Sequence, residues 1–126
     1  MSPYQKFTEL VEAVNRNSRV LDAAILVNSD GLILASSVQH PFSEESIGAL
    51  GAQFSSNCEQ FSQNIGHGEF EITLVSSKKG YAVTSNLKNK IYFVAKAVEK
   101  TDIATVMSSA LKVVNELKKM EKELFF

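Results

Sequence analysis

Two stretches of this sequence are apolar on both sides of the strand they would form. In residues 20–28, Leu21, Ala23, Ile25 and Val27 point one way and Val20, Ala24 and Leu26 the other, with Asp22 the one exception. Residues 91–98 repeat the pattern, with Lys96 the exception. A strand greasy on two faces has to be internal to a sheet and covered twice. The rest of the chain must therefore supply neighbours and two layers of cover. Asn28-Ser29-Asp30-Gly31 is a hairpin turn, with Gly31 supplying the positive φ, and it leads into a second strand at residues 32–36. Phe70, Ile72 and Leu74 alternate with Glu69, Glu71 and Thr73, which predicts a third strand with one polar face, hence an edge. Lys78-Lys79-Gly80 turns it into a fourth strand at 81–85, and Leu87-Lys88-Asn89-Lys90 turns that into the fifth.

Three helices complete the order. Tyr4, Phe7, Leu10, Val11 and Val14 have helical spacing over residues 3–17, Pro3 suits the first turn, and Asn15, Asn17 and Ser18 end the helix. After a loop at His40-Pro41-Phe42, Ser43 caps a second helix whose first turn holds Glu44, Glu45 and Ser46, acids at the positive end of the helix dipole. That helix runs to about Ile65 and stops at Gly66-His67-Gly68. Thr101 or Asp102 caps a last helix with a core stripe of Ile103, Val106, Met107, Ala110, Leu111, Val114, Leu117 and Leu124. The expected fold is α/β (α+β): one domain over 1–126, a single five-stranded antiparallel sheet with the second helix on one face and the first and third on the other.

Composition narrows the partners. A chain of 126 residues, 44% hydrophobic, can build one core. Lys plus Arg number 13 and Asp plus Glu 14, so the basic excess that phosphate binding needs is missing and no nucleic acid is expected. The pairs Lys78-Lys79 and Lys118-Lys119 read as solvated surface. The single cysteine, Cys58, makes no internal disulfide, which points to a reducing, cytoplasmic setting. The sequence contains no leader-like segment and no apolar run of the roughly 18 residues that span a bilayer, so no membrane insertion is expected.

The second helix is the most informative. At 100° per residue, Ile47, Leu50, Phe54, Cys58, Phe61 and Ile65 fall within about 60° of one another, a stripe expected to pack on the sheet. Beside it lies a band of small residues, Gly48, Gly51, Ala52, Ser55 and Ser62, with Ala49 and Ser56 further round. A glycine inside a helix costs roughly 1 kcal/mol relative to alanine, so Gly48 and Gly51 need a reason. Close approach of another backbone is one, and with no fourth helix in the chain, the partner is expected from a second chain across a two-fold axis. The open edge of the third strand fits the same axis, because pairing it with its copy makes a continuous ten-stranded sheet and brings the two second helices together. On this reading the dimer interface comprises Gly48, Gly51, Ala52, Ser55 and Glu59 of the helix with Glu71 and Thr73 of the strand.

The order of elements, the run Val20-Leu21-Asp22-Ala23-Ala24-Ile25-Leu26-Val27-Asn28-Ser29-Asp30-Gly31-Leu32-Ile33-Leu34-Ala35-Ser36-Ser37, the small-residue helix, the Gly80-Tyr81 turn and the long last helix together resemble the roadblock/LC7 family, whose fold is profilin-like. The resemblance covers nearly the whole chain. It implies a homo- or heterodimer, with itself or with a related roadblock chain, of the kind found in dynein light chains, lysosomal scaffolds and bacterial polarity regulators. It also implies a Ras-like small GTPase as partner, with a role in regulating or activating GTP hydrolysis. The GTPase would dock near the paired second helices, at Glu45, Ala49, Ala52, Gln53, Ser56, Gln60 and Gln63. The other reading is a scaffold subunit of a motor or membrane-associated complex without effect on the GTPase; a small-molecule sensor is a third.

The remaining residues offer little chemistry. An activator of GTP hydrolysis often supplies an arginine finger, but the two arginines, Arg16 and Arg19, lie between the first helix and first strand and read as helix-end and loop residues. Activation would then work without a finger. Cys58 reads as a buried small hydrophobe, and His67 as part of a helix-ending turn. Two distant histidines and one cysteine give no metal spacing, and no phosphate-binding glycine motif occurs. Neither a cofactor nor a catalytic residue is expected. Phe125-Phe126 reads equally as a docking tail or as the end of the last helix.

Overall fold

The computed structural model describes residues 2–16, 19–38, 43–99 and 101–120. The elements in chain order are α1 (Pro3–Asn15), β1 (Leu21–Asn28), β2 (Ile33–Val38), α2 (Glu44–Asn64), β3 (Ile72–Ser77), β4 (Gly80–Asn86), β5 (Ile91–Ala97) and α3 (Ile103–Lys119). All strand pairs are antiparallel, in the order β2-β1-β5-β4-β3. The two strands apolar on both sides, β1 and β5, lie inside the sheet, and β3 is an edge. Asp22 and Lys96, the exceptions in those two strands, meet: Lys96 Nζ is 3.0 Å from Asp22 Oδ2. The cost of burying one carboxylate is thus offset by the charge on the neighbouring strand. The other oxygen, Asp22 Oδ1, is buried without a hydrogen bond among the described residues.

The larger core lies on the side of α1 and α3. Phe7 and Val11 of α1 and Val106, Ala110, Val113, Val114 and Leu117 of α3 close over Ala24, Leu26, Phe93 and Ala95 of the sheet. The rings of Phe7 and Phe93 meet edge to face, 6.4 Å apart. The α2 side holds a smaller cluster of Ile25, Val27, Ala52, Tyr92 and Val94, with Ile33 and Ile47 against it.

Several boundaries differ from the sequence reading, for identifiable reasons. β2 begins and ends later than 32–36 because a bulge between Leu26 and Val27 shifts its register. β3 also begins later, at Ile72, because the chain bends at Glu69 after Gly68 at φ +78°; the Asn86 N–H donating to the Glu71 carbonyl at 3.0 Å continues its register with β4 by one residue. In α3 the core stripe is rotated. Ile103 and Leu111 are exposed, whereas Val113 is fully buried. Leu124, like His40, Pro41, Phe42 and Phe125-Phe126, lies outside the described residues. α1 starts with a capping box missed in the sequence, in which Ser2 Oγ accepts from Gln5 N–H and Gln5 Oε1 from Ser2 N–H. It ends at Asn15, whose side chain takes N–H groups from Val20 and Leu21 and donates to the Leu21 carbonyl.

Candidate protein-interaction surface

α2 crosses the strands about one turn at a time. A helical turn rises about 5.4 Å and strands lie about 4.8 Å apart, so successive turns land on successive strands. Gly48 lies over Ile33 of β2 and Val27 of β1, and Gly51 over Val94 of β5. Ser55 hydrogen-bonds the Thr84 hydroxyl of β4, and Cys58 Sγ accepts from Thr73 Oγ1 of β3 at 3.6 Å. With β3 the sheet ends, but α2 does not. The turn carrying Phe61 runs on past the edge.

This contact reverses the expected orientation of the helix. The small band, not the large apolar stripe, faces the protein's own sheet. A methyl group on Gly51 would come within 2.7 Å of Val94 Cγ2, and one on Gly48 within 3.0 Å of Ile33 Cγ1. The branched side chains of β5 and β2 fill the gap, so the helix must present glycine there. The close neighbour inferred for these glycines is real, but it belongs to the same chain. Gly48, Ala52 and Ser55 are buried against the sheet and have no surface to offer a partner. Gly51 faces Val94. Glu59 is engaged within the same chain, where it accepts from Asn86 Nδ2 at 3.1 Å. Of the expected dimer residues, Glu71 and Thr73 remain at the β3 edge. Cys58 is half-buried rather than enclosed.

Most of the stripe expected to be core is bare, Ile47 packing into the smaller cluster and Cys58 being half-buried. Leu50 is 64%, Phe54 38%, Phe61 67% and Ile65 47% exposed, and Val75 on β3 is 38% exposed. Four large apolar residues on one flank of a single helix, beside a strand edge, form a continuous patch of the kind that marks an interaction site.

The opposite flank is polar. Glu45, Ala49, Gln53, Ser56, Gln60 and Gln63 are exposed along it; Ala52, expected with them, is buried. Beside this flank stands the β1–β2 hairpin tip, which the sequence reading left out. Ser29, Asp30 and Gly31 form one wall of a groove whose other wall is Ala49, Gln53, Ser56 and Asn57. The tip is shaped by Asn28, whose Oδ1 accepts from Asp30 and Leu32 N–H, and by Gly31 at φ +85°. A second tip braces it: Ser29 N–H donates to the Lys90 carbonyl at 3.0 Å. Beneath the flank, burial pushes the Tyr92 hydroxyl above its ordinary pKa, and the Glu59 carboxylate adds to the shift. Arg16 and Arg19 are exposed at the end of α1 and before β1, away from this surface. Among the described residues no cluster of His, Cys, Asp or Glu has the arrangement of a metal site, and no helix is long and apolar enough to cross a membrane.

An antiparallel sheet held between one helix and two, with a bare helix flank beside an open strand edge, defines a small protein-interaction domain. The chain belongs to the Roadblock/LC7 domain family, which matches residues 6–97 and whose members are generally non-catalytic interaction domains. The fold is that of Myxococcus xanthus MglB, with 18% identity, TM-score 0.82, and coverage of 96% of this chain and 98% of that one. An MglB with tetrameric arrangement is similarly close, with 16% identity, TM-score 0.83, and coverage of 98% and 93%. Acanthamoeba castellanii profilin II shares the fold more distantly, with 14% identity, TM-score 0.63, and coverage of 91% and 98%. A comparison with curated protein sequences finds no match.

Proposed function

We propose that the protein is a non-catalytic homodimer that binds and regulates a Ras-like small GTPase, promoting hydrolysis by repositioning the GTPase's own residues. The observation that carries the dimer is the overhang of α2 with its exposed Phe61 and Ile65. A second copy placed by a two-fold axis beside β3 puts a strand under that overhang. Its own α2 then lies antiparallel against Leu50, Phe54 and Phe61, covering both apolar flanks at once. The MglB with tetrameric arrangement, a protein of the same fold, supports self-association. The polar flank of α2 and the Ser29–Gly31 tip stay outside this contact, as the docking face for the GTPase.

Light scattering after size exclusion tests the first part. The wild-type chain is expected to run as a dimer and Phe61→Asp as a monomer of unchanged helix content; a wild-type monomer at high concentration overturns the proposal. GTP hydrolysis by a purified Ras-like GTPase from the same organism, with and without the dimer, tests the second. Faster hydrolysis supports an activator, whereas binding without a change in rate supports a scaffold. A Gln53→Arg change on the polar flank should weaken the GTPase complex and leave the dimer intact.

A further inference from the structure

We infer that the charges flanking β3 make this edge complementary to itself when it pairs antiparallel, so that the chain selects its own copy over a related one; this rests on the dimer proposed above. Glu69 and Glu71 precede the strand, and Lys78 and Lys79 follow it. All four side chains are exposed. Between them, Ile72–Ser77 holds no charge and no proline, the usual devices that keep an edge from pairing.

The geometry follows from where the helices must lie. For both copies of α2 to pack side by side, they must sit on the same face of the joined sheet. The two-fold axis is then normal to the sheet, and the two β3 strands run antiparallel. Under that axis, residues directly opposite each other share a face, so the strand pairs about a residue and not about a peptide bond. Two registers keep it almost fully paired. Centred on Leu74 or on Val75, the pairing brings the Glu69–Glu71 end of one strand beside the turn that carries Lys78 and Lys79 of the partner subunit. In both, an acidic end meets a basic end twice. A parallel pairing would instead set lysine against lysine, a destabilising cross-strand arrangement.

Charge reversal tests this. Dimer affinity is measured by sedimentation at low salt for four chains: wild type, Glu69→Lys with Glu71→Lys, Lys78→Glu with Lys79→Glu, and the fourfold swap. Each double variant should dimerise about tenfold more weakly, and the fourfold swap should return to within about threefold of wild type. Mixing the two double variants should give the heterodimer, because one chain is then basic at both ends and the other acidic. The wild-type and fourfold dimers should weaken with added salt, since surface charges are screened. Double variants that dimerise like wild type, or a fourfold swap that fails to recover, overturn the inference while leaving the dimer standing. A monomeric wild-type chain overturns both.

Discussion

α2 and α3 are both amphipathic, both long, and both laid on the same sheet, yet they use their apolar sides in opposite ways. α3 turns Val106, Ala110, Val113, Val114 and Leu117 inward and buries them completely or nearly so. α2 turns Gly48, Ala52 and Ser55 inward and leaves Leu50, Phe54, Phe61 and Ile65 in the open. Amphipathic spacing says that a helix has an apolar side; it does not say which surface that side meets. On the α3 face, aliphatic and aromatic groups fill a wide layer. On the α2 face, Val94 and Ile33 already reach the places where side chains of Gly51 and Gly48 would begin, and only a narrow gap remains.

The contrast is sharpest in truncation. Leu117→Ala should lower stability by about 3 kcal/mol, because it leaves a cavity in a closed core. Phe61→Ala should change the unfolding free energy of the single chain by less than about 0.5 kcal/mol, despite removing a larger side chain. Urea titrations of both variants at low protein concentration decide it, and equal losses would mean that the two helices do not differ. Next in size is Gly51→Ala. Helix propensity alone favours alanine by roughly 1 kcal/mol, but the new methyl meets the stiff Val94 side chain, and overpacking of about 1–3 kcal/mol should outweigh it. A stabilised variant would show a looser α2 contact than the one described.

The smallest effect concerns the caps. α2 begins on Ser43, which does not titrate, and α3 on Asp102. Hydrogen bonds from the Thr105 backbone and side chain hold the Asp102 carboxyl below its ordinary pKa. A depressed folded value means that the carboxylate stabilises the fold fully above the unfolded value of about 3.9 and stops doing so as pH falls through the folded value. Asp102→Ser should keep the cap and flatten the acid limb of the stability profile, measured by thermal unfolding between about pH 5 and pH 2.

Much of the architecture was written in local patterns. Strands apolar on both faces had to be central, the alternation of Phe70, Ile72 and Leu74 had to mark an edge, and Ser43 and Asp102 announced helix starts. Even the misfits in β1 and β5 carried information, since Asp22 and Lys96, far apart in sequence, share one ion pair. The orientation of α2 was hidden because it depends on what stands across the gap, and no window of α2 contains Val94 or Ile33. The same holds for the second wall of the groove. Asp30 and Gly31 read as a turn, and only the packing of Gly31 against Ala49 brings that turn to the helix. Glu59 read as a dimer-interface residue because its partner within the chain, Asn86, lies on β4, far along the sequence.

Asn15 has a consequence for how this chain can be altered. Its carboxamide answers the first two amides and a carbonyl of the segment entering β1, as a neighbouring peptide unit would. The beginning of the sheet is therefore fastened directly from the end of α1. Removing that carboxamide would strand the buried amides of Val20 and Leu21 without their acceptor, so a change at the last residue of a helix would be felt first at the mouth of a strand.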